Sequence, residues 1–402
     1  MRSKLVSGII VAGCIVLDRE LCWITVNEIY PTLVKKLLSR NNFVPSRNGG
    51  TYELHPYFGR FGQIRKKYVS SIGRMINLPF ALAETVHILS GNNKVDMLKF
   101  YNSNIPQYSD NGIVFNAPYG ERMVFTFEVN QFEDVLYKLL KDKESRQAVI
   151  IYSDPFKDNV GINTKDRACN ISSLFLIRDN KLDLTQTIRS NDVLWGLPYN
   201  FIQFTTIQEI IADFLDVEVG DFYLLSNSLH LYEKQLEEAK LIRPFDIYDY
   251  FRPYEIKLPI VLKGNCDKCG KNPQRLACFF QDFANLERSI RNGFVIDLIQ
   301  VEEFPIYKDL PVYWQDLLKV FLSYYYWKNK ETERAIGIAG NIKGIFYPLL
   351  MKNYYQWRIR ELGGSALNFF WDYFREWISP YNFSDEKLRK LTNWVIEEKN
   401  EE

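Results

Sequence analysis

The chain has 402 residues, long for one core and short for three, so one large domain with an appendage is the natural organisation. Its 50 Lys and Arg against 49 Asp and Glu leave a net charge of +1, which excludes a global field for nucleic acid or membrane. An apolar fraction of 47% describes a globular protein, and six cysteines over this length are not a disulfide framework.

Arg2 and Lys4 precede an apolar stretch, 6–17, that imitates a secretory leader. That stretch is shorter than the ~20 residues that span a bilayer, and Asp18-Arg19-Glu20 stand where a cleavage pattern would be. It reads as a buried strand or helix of a cytoplasmic protein. Residues 28–40 predict an amphipathic helix with Ile29, Leu33, Leu37 and Leu38 on one side. The segment 45–51 is a turn-rich loop carrying Arg47. A helix over 77–89 stops at Ser90-Gly91-Asn92-Asn93, and another covers 132–142. Residues 147–152 form a buried strand. Two further strands, 171–177 and 182–188, flank a turn at 178–181. A long apolar helix follows over 200–214, then a short strand over 221–226. After Pro259 the character changes, and the turn cluster 264–270 serves as a boundary. Aromatic-rich helical patterns over 313–328 and 355–377 place a mainly helical second domain at 263–402, behind a first domain at 1–262.

Several residues can carry chemistry. Cys169 follows Lys165-Asp166-Arg167, and positive charge favours the thiolate that acts as a nucleophile; the alternative is a buried structural cysteine. Arg189-Ser190 ends a strand and suits a phosphate, or a surface ion pair. Asn200 can donate and accept at once, as a uracil O4/N3–H edge demands, or can cap the helix after Pro198. His230 and Tyr232 share one face of an extended segment and suit a sugar hydroxyl. Cys266, Cys269 and Cys278 supply three thiols where a structural zinc takes four ligands, so no metal is expected.

The order and the intervals of these residues resemble the thymidylate synthase family, along residues 20 to 235. The resemblance is sharpest at Ser145-Arg146-Gln147, at Ala168-Cys169-Asn170, through RSNDVLWGLPYN (189–200) and at His230-Leu231-Tyr232. It implies an α+β layered fold, with a mixed sheet packed against helices and the helical C-terminal domain appended. It implies that Cys169 adds to C6 of a pyrimidine, with Glu84 as general acid/base toward O4 and Tyr119 beside the nucleophile. Arg189, Ser190 and Arg47 would bind the phosphate, and Arg146 would reach the partner's phosphate in a homodimer. Asn200 would read the base, and His230 and Tyr232 would hold the sugar. Asp192, Gly196 and Tyr199 would face 5,10-methylenetetrahydrofolate, with Asp192 on the pterin.

The sequence departs from the family in ways that bear on the product. Pro106-Gln107-Tyr108-Ser109 occupies the place of the family's Trp-Asp-x-Trp stretch, whose first tryptophan favours hydride transfer and is also missing from hydroxymethylases. Asn170 stands for the usual His, Ala168 for Pro, and Ile188 for Gln. The family ends in a carboxylate tail over the folate, whereas this chain runs on past Pro259. Asn200 favours uracil, since cytosine-specific hydroxymethylases carry Asp there. The expectation is therefore C5 hydroxymethylation of dUMP, as in phages with modified DNA, acting in the cytoplasm (the host's, if viral). Thymidylate synthesis is the alternative, and a silent nucleotide-binding homologue the third reading. Joint presence of Cys169, Glu84 and Asn200 argues against the third.

Overall fold

The computed structural model describes residues 10–11, 14–15, 25–40, 42–46, 48–159, 161–263, 271–362, 374, 376 and 378–396. Strands β1 (Ile10–Val11) and β2 (Cys14–Ile15) pair antiparallel within the apolar stretch near the N-terminus. Helix α1 (Val26–Leu38) begins two residues earlier than its apolar pattern, because Thr25 and Glu28 form a reciprocal capping box. Strands β3 (Phe43–Val44), β4 (Thr51–Leu54) and β5 (Tyr57–Phe61) follow, then helices α2 (Leu78–Leu89), α3 (Val95–Tyr101), α4 (Tyr119–Val124) and α5 (Gln131–Lys141). Asn77 caps α2, and Gly91, at φ +67°, lets the chain turn at its far end. Beyond α5 lie β6 (Val149–Ile151), β7 (Asn170–Arg178), β8 (Lys181–Ile188) and β9 (Asn191–Asp192). The β7–β8 hairpin turns on Asp179 and Asn180, both at positive φ as a two-residue turn with the sheet's own twist requires.

Helix α6 (Leu197–Leu215) is buried along nearly its whole length, and β10 (Glu218–Ser226), β11 (Leu229–Tyr232) and α7 (Leu236–Lys240) complete this part. The strands form two mixed sheets, ordered β5-β10-β8-β7-β6 and β3-β4-β11-β9. In the first only β10 and β8 run parallel, and in the second only β11 and β9. The two parallel pairs are consecutive. β8 leaves the large sheet through Arg189-Ser190 to become β9, and β10 leaves it through Asn227-Ser228 to become β11. Main-chain bonds from Asn227 N–H to the Ile188 carbonyl (2.9 Å) and Asn191 N–H to that of Ser228 (2.8 Å) keep the two connections side by side. This break between the sheets is where the site residues gather.

The remaining helices are α8 (Ile260–Lys263), α9 (Gln274–Arg291), α10 (Leu298–Glu303), α11 (Val312–Lys328), α12 (Thr332–Ala339), α13 (Phe346–Leu362) and α14 (Asp385–Ile396). The expected layered α+β architecture with a mainly helical C-terminal region is present. Trp314 packs against Phe279, Phe280 and Phe283, while Tyr68 of the N-terminal part meets Phe346 edge-on at 5.5 Å. Buried side chains from both regions form one continuous core. Polar ties reinforce it: Tyr101 donates to Glu287 at 2.9 Å, and Arg291 pairs with Asp96 at 3.1 Å. The helix expected over 355–377 is seen as α13, which begins nine residues earlier; 363–373, the boundary cluster 264–270 and with it Cys266 and Cys269 lie outside the described residues. No helix among the described residues is long and apolar enough to cross a membrane.

Candidate active site

Cys169 sits half-buried at the head of β7, and its carbonyl accepts the Arg189 N–H at 2.9 Å. Cys169 and Arg189 are therefore joined through the backbone. The Arg189 side chain folds over the same loop, donating to the carbonyls of Ala168 (2.7 Å) and Arg167 (3.1 Å). The Arg167 guanidinium faces elsewhere, to the carbonyls of Asp158 (3.1 Å) and Ile162 (2.7 Å), and it is the Arg167 carbonyl that stands 4.0 Å from Sγ. Behind the loop, wholly buried Arg122 grips Asp158 with both arms, at 2.5 and 2.8 Å, and donates to the Tyr152 carbonyl at 2.6 Å. The Tyr119 hydroxyl accepts the N–H groups of Cys169 (3.3 Å) and Asn170 (3.4 Å). It arrives there because Gly120 lets α4 rest on the end of α2. An added Cβ would lie 2.6 Å from the Ile88 carbonyl oxygen. Asn170 joins a buried chain of Gln186 (2.9 Å), Ser173 and Tyr152 that ties β7 to β8 beneath the thiol.

Asn200, His230 and Ser190, expected from sequence to face a nucleotide, gather at the break between the sheets. Helix α6 starts at Leu197, with Pro198 in its first turn, so Asn200 lies inside the helix and is not its cap. Its amide donates to Asn191 Oδ1 at 3.2 Å, which fixes the side chain and leaves its carbonyl oxygen and second N–H for a ligand. His230 pairs with Asp192 across β11 and β9, and its ring meets Tyr232 edge-on at 4.9 Å. Burial lowers the His230 pKa, more than the Asp192 carboxylate restores it, so the imidazole is neutral at pH 7. Two buried polar atoms here, His230 Nε2 and Asn191 Nδ2, have no protein partner. Orphans of this kind are costly unless a ligand or water satisfies them. Ser190 is half-buried beside them, and Arg146 is exposed just before β6. Arg47 lies outside the described residues.

Glu84 projects from α2 toward α6, where Gln203 donates to it at 3.0 Å. Burial pushes its carboxyl up to about 8, against the lowering effect of the Gln203 bond. It is an acid at neutral pH, able to give a proton. Among the residues expected to face a folate, Asp192 Oδ1 accepts from the N–H groups of Leu194 (2.7 Å) and Trp195 (2.9 Å), and Oδ2 from Gln235 (2.9 Å). A carboxylate has lone pairs beyond these three. Gly196 lies tight over this turn, since a Cβ would stand 3.0 Å from the Asp192 carbonyl oxygen. The Tyr199 hydroxyl accepts the Asn77 N–H at 3.2 Å. Trp195 is 47% exposed with the Lys234 ammonium 5.1 Å above it, and Tyr108 is 51% exposed in the 3-10 turn Ile105–Tyr108. Burial, then the charges of Asp192 and Tyr232, raise the Tyr108 hydroxyl above its ordinary value. Gln203, Gln235, Asn191 and Arg122 were not singled out from sequence. Polar residues on an otherwise apolar helix, as Gln203 is on α6, were the available signal.

A family model described as thymidylate synthase matches residues 28–243, more than half of the chain. The chain belongs to the thymidylate synthase family. Among other members, the deoxyuridylate hydroxymethyltransferase of Bacillus phage SP01 is 38% identical over 216 residues, 51% of this chain and 56% of that protein. The deoxyuridylate hydroxymethyltransferase of Delftia phage PhiW-14 is 31% identical over 198 residues, 46% of this chain and 55% of that one. A thymidylate synthase of Buchnera aphidicola is 26% identical over 226 residues, 52% of this chain and 81% of its own. The chain thus spans about half the length of the phage relatives it matches. The family match ends before α8, so every helix from α8 onward lies beyond it. Among the described residues no three His, Cys, Asp or Glu side chains cluster as a metal site.

Proposed function

We propose that this protein transfers a one-carbon unit from 5,10-methylenetetrahydrofolate to C5 of dUMP and releases 5-hydroxymethyl-dUMP, in the cytoplasm. The observation that carries the reading is the convergence of Cys169, Arg189 and Asn200 on the break between the sheets, beside two buried polar atoms that lack partners. Arg189 and Ser190, with Arg47 and the partner subunit's Arg146, hold the phosphate. Neutral His230 and Tyr232 hold the sugar hydroxyl, and Asn200 matches the O4 and N3–H of uracil. Cys169 adds to C6, and the electron pair moves through C5 toward O4. Glu84, protonated at neutral pH, meets the charge that develops at O4.

The folate, when bound, supplies the carbon. Asp192 has acceptor capacity left for a pterin, Gly196 allows close approach, and Tyr199, Trp195 and Tyr108 offer aromatic surface. The turn Ile105–Tyr108 in place of a tryptophan supports water, not hydride, as the group that completes C5. C5 would take that carbon and lose its proton as tetrahydrofolate leaves, water would add to the exocyclic methylene so formed, and the Cys169 thiolate would depart from C6 as the C5–C6 double bond re-forms. Tetrahydrofolate is returned without oxidation.

Incubation with dUMP and methylenetetrahydrofolate, followed by chromatography of the nucleotide, tests this. The expected products are 5-hydroxymethyl-dUMP and tetrahydrofolate. Thymidylate with dihydrofolate overturns the choice of water. No C5 product, with nucleotide binding intact, overturns the enzyme reading. Cys169→Ala should lower turnover by at least ~10⁴-fold while dUMP affinity stays within about threefold.

A further inference from the structure

We propose that the helical region beyond the family match is a working part of the site, in which Lys352 and Asn353 of α13 are positioning residues for its cofactor side. The inference rests on the folate-dependent reading above. Its starting point is the N-terminus of α2, whose first N–H groups have no partner within the helix. Asn77 takes the Phe80 N–H at 3.2 Å. The Leu78 N–H is taken by a residue 275 positions away: Asn353 Oδ1 accepts it at 2.8 Å. The same amide donates through Nδ2 to the Ile76 carbonyl at 2.7 Å, so one buried side chain clamps the backbone on both sides of the cap.

Its neighbour extends the clamp. The Lys352 ammonium, buried and 4.8 Å over the Trp394 ring, donates to the Arg74 carbonyl at 3.1 Å. Trp394 itself donates to the Ser70 carbonyl at 2.6 Å. The strap 70–78 is thus held from the C-terminal side by four bonds, all to its main chain. From its other side the strap touches the cofactor run. Arg74 donates to the Leu194 carbonyl at 2.6 Å, and the Asn77 N–H donates to Tyr199. Leu194 is the residue whose N–H holds Asp192. The strap also leads directly into α2, which carries Glu84. Helix α13 therefore fixes, through one layer of backbone, both the pterin-facing turn and the helix of the proton donor. The described residues that face the nucleotide on that reading, Arg189, Ser190, Asn200, His230 and Tyr232, lie on the β8–β9 connection, α6 and β11 instead.

A positioning role separates the two ligands, whereas a merely structural one would weaken both. In the full chain, Asn353→Ala should raise the KM for methylenetetrahydrofolate about tenfold, as for a lost buried hydrogen-bond pair, with the dUMP Kd changed by less than about twofold. The alkaline limb of its pH–rate profile should move, because Glu84 rides on the released helix. Asn353→Asp keeps the acceptor for Leu78 and should recover part of the folate KM. If Asn353→Ala does not fold, as judged by thermal melting, Lys352→Met gives the same comparison at the neighbouring part of the clamp. An unchanged folate KM, or folate and dUMP affinities falling together, overturns the inference. If the unmodified protein makes no C5 product from dUMP and the folate, it is the functional reading that fails, and this inference with it.

Discussion

At Glu84 the burial that makes an acid of the side chain also sets a pH window. Its folded pKa, about 8, stands above the ordinary 4.5, so the folded state holds this proton where the unfolded chain has released it. Stability therefore falls as pH rises from ~4.5 to ~8, and is unaffected by this group below that range. Glu84→Gln cannot titrate, and should flatten the fall of melting temperature with pH across that interval while lowering turnover by ~10²–10⁴-fold. A slope unchanged by the substitution would place the titration elsewhere, with Glu287 next in line, since burial pushes its carboxyl up to about 7. Asn200 tests the base. On the proposed reading, Asn200→Asp removes the amide donor offered to O4 and presents an acceptor to a 4-amino group. The ratio of kcat/KM for dCMP to that for dUMP should rise by at least ~10²-fold, a change of the size that one hydrogen-bonding group gives. A ratio that does not move would separate Asn200 from base reading.

At the scale of elements, α6 joins two parts of the site, with Asn200 held to Asn191 and Gln203 one turn later on Glu84. Gln203→Leu removes the bond that lowers the Glu84 pKa, so the alkaline limb of kcat/KM should shift upward, with ~1–2 kcal/mol lost in urea unfolding. A downward shift would contradict the bond's direction. How much of this was legible follows from what each element depends on. Helices α2 and α5 and strands β7 and β8 lie within two residues of their sequence-derived bounds, because long periodic patterns and local caps define them. Strands β3 and β9 have two residues each, too few for any alternation to register, and exist only through pairing with β4 and β11. Helix α6 starts three residues before the expected residue 200, because its first turn accommodates Pro198 and Asn200 is not the cap. The site residues Cys169, Arg189, Asn200 and His230 came from order and interval. Their supports, Gln203, Gln235 and Asn353, form contacts between distant segments that no spacing encodes.

For the whole molecule, the large sheet has two unlike faces. The inner one carries Phe61, Phe222, Leu224, Leu182 and Leu184 into the core. On the outer one Phe58, Leu225, Thr187, Ser172 and Ile151 stand in one row by strand register, with Phe58, Leu225, Ile151 and neighbouring Leu174 exposed. A flat apolar and threonine face of this kind calls for a cover. Arg146 is exposed and lies three residues before β6, the edge strand of that same sheet. On the proposed reading, a second copy packs on this face and its Arg146 completes the phosphate grip. Leu225→Glu should then convert the protein from dimer to monomer in sedimentation velocity and abolish turnover together. Mixing provides the stricter measurement. Cys169→Ala and Arg146→Ala chains, each inactive alone, should on unfolding and refolding together regain about a quarter of the normal activity, because random pairing makes half the dimers hybrid and one of the two sites in each hybrid is whole. Recovery near zero, with hybrids present by mass, would show that Arg146 serves the site of its own chain.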